Sequence, residues 1–308
     1  MNRIPYFDSH CDTISLCKTT GAALRSNTGH IDLERAACFS SYGQIFAFYT
    51  DAATIPQERM LQNTRELYDL FRQELTANSD LLCHCRTAAE IQRCWDSGKI
   101  AAVLSIEGAE QLECSPDHLD LAEEWGVRLI NLTWNHKNAL SGTHCDCPEQ
   151  GLTELGKTFV REAQRRKIRM DVSHLSEAGF WDLVRMTEAP IVASHSNSRQ
   201  ICNHSRNLTD DQFRAVCETG GVVGLNFYTE FVGDVPTMDG LVRHLEHFLN
   251  LGGERHIGLG GDLDGIDTPV SGIKGLEDVP KLWAALENRG YPRSLLEDIF
   301  RNNWLRIL

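Results

Sequence analysis

His10 and Asp12 stand two residues apart, just past the first apolar run of the chain at 4–7. If a strand carries through them, both side chains project to one face. An imidazole and a carboxylate aimed together from a strand end form half of a divalent-metal site. His-x-Asp alone is a weak signal, because short polar pairs recur by chance. The same event repeats along the chain, however. Residues 100–106 run into Glu107, 168–173 into His174, 191–194 into His195 and 257–261 into Asp262. One strand-end His or Asp is more often a loop cap than a ligand. Five such ends in one chain are hard to obtain from capping.

Three histidines and three carboxylates of this kind suit a binuclear site for hard or borderline cations, zinc first among them. Two cations are best held by a shared carboxylate, and Glu107 is the natural bridge. Cations so held lower the pKa of a bridging water toward neutrality, which supplies hydroxide for attack. Asp262 then acts as acid and base, taking the water's proton and handing one to the leaving group.

The elements that must bring these residues together alternate along the whole length. Candidate strands lie at 4–9, 44–49, 100–106, 127–133, 168–173, 191–194, 222–226 and 257–261. Most are largely apolar, as parallel strands covered on both faces tend to be. Helical patterns fall at 57–78, 153–166, 176–186, 209–218, 238–251, 278–289 and 294–307, with Ser176 a capping residue. Eight βα units in a chain of 308 residues predict an α/β fold, a (β/α)8 TIM-type barrel in one domain over 1–308. Its strand ends share one rim, where active sites of this fold are built. A doubly wound sheet is disfavoured, because no Gly-x-Gly-x-x-Gly turn follows the first strand.

Composition narrows the function classes. With 43 acidic against 30 basic residues the net charge is −13, which argues against nucleic acid or anionic membrane as partner. No apolar run approaches a membrane span, and no leader precedes the motif at Asp8. The eleven cysteines are an odd, scattered set. Together these features read as a cytoplasmic protein with reduced thiols. Cys83-His84-Cys85 and His144-Cys145-Asp146-Cys147 lack Cys-x-x-Cys spacing and read as free loop cysteines. Asp264 either orients a ligand histidine or is the turn residue of Asp-Gly.

Several segments carry a family resemblance. They include Phe-Asp-Ser-His-Cys-Asp-Thr at 7–13, Ser-Ile-Glu-Gly at 105–108, Asn-Leu-Thr-Trp-Asn at 131–135 and Asp-Val-Ser-His-Leu-Ser at 171–176. Ser-His-Ser-Asn-Ser-Arg at 194–199, Ser-Arg-Asn-Leu-Thr-Asp at 205–210 and Gly-Gly-Asp-Leu-Asp-Gly at 260–265 follow in order. Gly-Leu-Glu-Asp-Val at 275–279 and Asn-Asn-Trp-Leu-Arg at 302–306 complete them. With these the chain resembles the membrane (renal) dipeptidase family of zinc dipeptidases, in the amidohydrolase superfamily. The resemblance implies two Zn2+ per chain, one on His10 and Asp12, the other on His174 and His195, with Glu107 between them. It implies that Arg206 grips the terminal carboxylate of a dipeptide. Tyr228 either lines the substrate pocket or only packs. Many members place a carbonyl-polarising histidine where this chain has Trp134; His136, two residues on, either reaches that space or faces solvent. The implied activity is dipeptide hydrolysis, L-Xaa-D-Xaa substrates included, and likeness suggests a homodimer. The alternatives are a relative acting on another amide, lactam or lactone, or a metal-binding barrel whose catalysis has lapsed.

Overall fold

Apolar runs covered on both faces pair as parallel strands. In the computed structural model, which describes residues 3–308, these are β1 (Pro5–Cys11), β2 (Ser41–Phe48), β3 (Leu82–His84), β4 (Ile100–Ile106), β5 (Val127–Asn131), β6 (Arg169–Asp171), β7 (Val192–Ala193), β8 (Val222–Leu225) and β9 (Ile257–Leu259). The order β1-β2-β4-β5-β6-β7-β8-β9 closes back on β1 as an eight-stranded parallel barrel. β3 lies outside that ring along the first half of β4, with Leu82 opposite Ile100. The sequence predicts a loop at Cys83 and His84. Three residues with one buried side chain are too short for any periodicity to register.

The ring is wrapped by α1 (Thr13–Thr20), α2 (Met60–Ala77), α3 (Ala88–Asp96), α4 (Leu119–Trp125), α5 (Glu154–Arg165), α6 (Glu177–Met186), α7 (Asp210–Glu218), α8 (Thr229–Val232), α9 (Met238–Asn250) and α10 (Val279–Asn288). The closing segment, expected as one helix, is α11 (Arg293–Glu297), a π-turn at Asp298–Asn302 and α12 (Asn303–Ile307). α1, α3 and α4 escaped the sequence reading because each offers only two or three buried residues. Where capping chemistry is explicit it holds: Ser176 accepts from the Gly179 amide at 3.0 Å, and Thr209 with Gln212 forms a reciprocal capping box.

β4 illustrates how two apolar layers arise from one run. Ala101 and Val103 join Phe7, Ile45, Leu129, Val192 and Val222 in the barrel interior, whereas Ala102, Leu104 and Ile106 pack under the helices. Glu107 continues the inward phase. Trp304 of α12 joins the interior cluster against Gly258, where an added Cβ would run into its indole ring. Among the described residues no helix is long and apolar enough to cross a membrane.

His244 on α9 gives the fold a pH dependence. It is fully buried, its Nδ1 accepts from the Ser198 amide at 3.0 Å, and its Nε2–H faces the Val232 carbonyl at 3.1 Å. Burial lowers its pKa to about 4. The unfolded chain takes up this proton from about pH 6.5 downward, the folded chain only near pH 4. The stabilisation is therefore present above that upper value and is lost as pH falls toward the lower one. At pH 5 the loss amounts to about 2 kcal/mol. Urea midpoints at neutral pH and at pH 5 should converge in His244→Gln relative to wild type; an unchanged pH difference would refute the assignment.

Candidate active site

The ladder between β1 and β2 slips between Asp8 and Cys11, and the strand ends at Cys11. Asp12 then opens α1 as its N-cap residue. The condition of a strand carried through both residues is thus not met; a slip and a turn instead bring His10 Nε2 to 3.6 Å from Asp12 Oδ2. His10 Nε2 also lies 3.5 Å from Glu107 Oε2 and 3.8 Å from Asp262 Oδ1. The other oxygen of Glu107, Oε1, faces His174 Nε2 at 3.0 Å and His195 Nε2 at 3.4 Å. All six strand-end residues named from the sequence therefore meet in one buried cluster. Ligand-type atoms of His10, Glu107 and His195 lie within 4.8 Å of one another, as do those of His10, Asp12 and Asp262.

Two buried aspartates brace this arrangement. Asp8 accepts from the amides of His10 at 2.9 Å and Gly261 at 3.0 Å, tying the ends of β1 and β9 together. Asp171 accepts from the amides of Ser173 and Ser194, each at 3.0 Å, and so places His174 beside His195. These carboxylate bonds take over where the β6–β7 ladder stops, which is why both strands are shorter than their apolar runs. His174 and Asp262 hold left-handed backbone, φ 71° and 59°, a conformation uncommon for such residues and concentrated at functional sites.

The ring nitrogens away from the cluster are already engaged. His174 Nδ1 donates to Asn135 Oδ1 at 2.8 Å, and His195 Nδ1 pairs with Ser194 Oγ at 2.7 Å. Their Nε2 atoms face each other at 3.0 Å. Burial, reinforced by Arg206 in both cases, holds these two imidazoles well below the usual range, hence neutral and able to ligate. Burial also opposes charge on His10, yet Glu107 and Asp12 hold it well above its ordinary value. Burial raises Glu107 and brings Asp262 to about 7. Among the described residues, His10 Nε2 and Asp12 Oδ1 are buried without a hydrogen-bond partner. Converging imidazole lone pairs, crowded carboxylates and unpartnered donor atoms fit divalent cations.

Arg206 is 4% exposed, and no carboxylate among the described residues lies within ion-pair distance of it. Its guanidinium sits 5.3 Å from the Phe231 ring and makes only long contacts, 3.5 Å to Ser196 Oγ and 3.4 Å to the His195 carbonyl, while Nε has no partner. Tyr228 packs edge-on against Phe231 at 5.0 Å, one ring removed from Arg206. His136 stands apart, half exposed and paired with Asp51 at 3.3 Å. Trp134 packs between Tyr49 and His174. Asp264 accepts from Thr13 Oγ1 at 2.6 Å and the His30 amide at 2.5 Å, so it anchors the start of α1 and touches no ligand histidine.

Sequence reasoning missed the supporting shell. Asn226 donates to Asp262 Oδ2 at 2.8 Å, leaving Oδ1 toward His10. Asn135, Asp8 and Asp171 lie inside the family-like segments at 131–135, 7–13 and 171–176, yet nothing in a single sequence separates a brace from a loop polar residue. By sequence, His144 groups with free loop cysteines. It bonds Asn135 Oδ1 at 3.0 Å and Ser205 Oγ at 2.8 Å beside His174. The eleven cysteines are free.

A parallel barrel that gathers imidazoles and carboxylates at the carboxyl ends of its strands has the architecture of a metal-dependent hydrolase. The profile of the membrane dipeptidase family (peptidase family M19) matches residues 1–308, and the chain belongs to that family. A metallo peptidase from Rhodobacter sphaeroides, solved with a phosphinate mimic of the dipeptide L-Ala-D-Ala, is 31% identical with a TM-score of 0.90 over 99% of each chain. Dipeptidase AC, a metallo peptidase of family M19, is 32% identical with a TM-score of 0.91 over 99% of this chain and 98% of its own. Dipeptidase aclJ of Aspergillus oryzae is 30% identical over 298 residues, 91% of this chain and 69% of its own.

Proposed function

We propose that the chain hydrolyses the amide of dipeptides, L-Xaa-D-Xaa included, with two zinc ions held by His10, Asp12, Glu107, His174 and His195. One observation carries the reading. Glu107 turns one oxygen to His10 and the other to His174 and His195, the disposition a shared carboxylate needs. The dipeptide mimic in the Rhodobacter relative supports the substrate class. Bound zinc supplies Lewis acidity toward a carbonyl and makes a water acidic enough to ionise near neutral pH.

The chain's own residues do the rest. Arg206, a buried cation with no counter-ion among the described residues, binds the terminal carboxylate and fixes the length and register of the substrate. Asp262 takes a proton at Oδ1 while Asn226 holds Oδ2, and it returns the proton to the departing amine. Amidating the terminal carboxylate of a good dipeptide should lower kcat/KM by roughly 10- to 100-fold. In Arg206→Met that preference should vanish, mostly through KM. Equal rates on acid and amide in the wild type would refute the dipeptidase reading and favour a broader amidase.

A further inference from the structure

Two cavities flank the cluster, and they differ in size and lining. One, of about 210 Å³, is walled by His144, Val172, His174, Leu175, Phe180 and Arg206. The other, of about 500 Å³, is walled by Asp12, Leu16, Tyr49, Ile55, Leu67 and Asp264. His174 follows β6 and Asp12 follows β1, which stand opposite each other in the ring of eight. His174 borders one cavity and Asp12 the other, so the two cavities lie on opposite sides of the cluster.

The dipeptidase reading, on which this inference rests, fixes the direction. Arg206 belongs to the smaller cavity, so the carboxyl-terminal residue lies there, with Phe180 and Leu175 limiting its side chain. The amino-terminal residue then lies on the Asp12 side. Apart from Asp12, which belongs to the cluster, most polar groups of that wall are already partnered. Lys18 Nζ reaches Glu66 at 2.9 Å, Thr50 Oγ1 accepts from Asn63 at 2.6 Å, Asp51 meets His136, and Asp264 is taken by Thr13 and the His30 amide. What is left for an occupant is the apolar surface of Leu16, Tyr49, Ile55 and Leu67, with more than twice the room of the other side. We propose that the larger cavity is the subsite for the amino-terminal side chain and takes bulky apolar groups, while the smaller one admits only small carboxyl-terminal side chains.

The test compares L-Phe-Ala, L-Ala-Phe and L-Ala-Ala on the zinc-loaded enzyme, each with either configuration at the carboxyl-terminal residue. Phe-Ala should exceed Ala-Phe in kcat/KM by about 10-fold or more, the scale set by apolar pocket discrimination. Thr54 is exposed at the mouth of the larger cavity, so Thr54→Trp should depress Phe-Ala about 5-fold more than Ala-Ala. Leu16→Phe provides a second reduction of the same space. Ala-Phe cleaved as well as Phe-Ala, or variants that lower Phe-Ala and Ala-Ala in equal proportion, would overturn the assignment while leaving dipeptide cleavage intact. Cleavage of none of the three would instead bring down the dipeptidase reading, and this inference with it.

Discussion

Glu107→Gln is expected to leave the enzyme with at most one tightly held metal and to lower turnover by at least about 100-fold. Even partners one step removed from a metal are worth 10- to 100-fold in affinity or activity, so a shared ligand should exceed that scale. The physical reason is the division of its oxygens between His10 and the His174/His195 pair. A carboxamide keeps one acceptor and presents an N–H2 group where the second stood. The charge that holds His10 protonated in the metal-free protein also disappears. Metal content after exhaustive dialysis, read beside kcat, checks this. Two retained equivalents with near-normal turnover would rule out a shared role.

Asp262→Asn is the complementary case. Asparagine tolerates the left-handed backbone that this position adopts, φ 59°. Its carbonyl can still accept from Asn226. Shape and metal content should therefore persist while kcat falls roughly 10²- to 10⁴-fold, the usual worth of a positioned acid–base group. The variant should also gain in one respect. Burial pushes the Asp262 carboxyl up to about 7, whereas the unfolded chain ionises it from about pH 4. The folded state loses stability across that interval and bears the full cost above it, a cost asparagine lacks. The metal-free variant should melt at a temperature equal to or above that of metal-free wild type at pH 8. A lower melting temperature combined with lost activity would indicate a structural part for Asp262 and no proton carrier.

The barrel was legible because its strands are buried on both faces and end in ligand-type residues, two signals that survive without an alignment. The places where reading failed share a cause. β3 and the short helices after β1, β3 and β4 bury too few side chains to impose a period. The slip that unites His10 with Asp12 leaves no trace in residue type. Asn226 and Asn135 hold Asp262 and His174 through hydrogen bonds that reach 36 and 39 residues along the chain, respectively. Asp8 and Asp171 each join segments from different strands, so their work exists only after the ring closes. Placement of His136 against Asp51, away from the cluster, likewise depends on loop geometry that side-chain chemistry does not encode.

The floor of the barrel has a consequence for how the molecule is made. Trp304 lies against an interior lined by Phe7, Leu129 and Val222, from segments spread over nearly the whole length of the polypeptide. Contacts of such long sequence separation form late, since loop closure must precede any reward. Until α12 docks, a nascent ring has an open, greasy underside competent to stick to other chains. Biogenesis of this enzyme should accordingly lean on holding factors during synthesis, and clipping the segment around Trp304 should yield inclusion bodies even with every metal ligand intact.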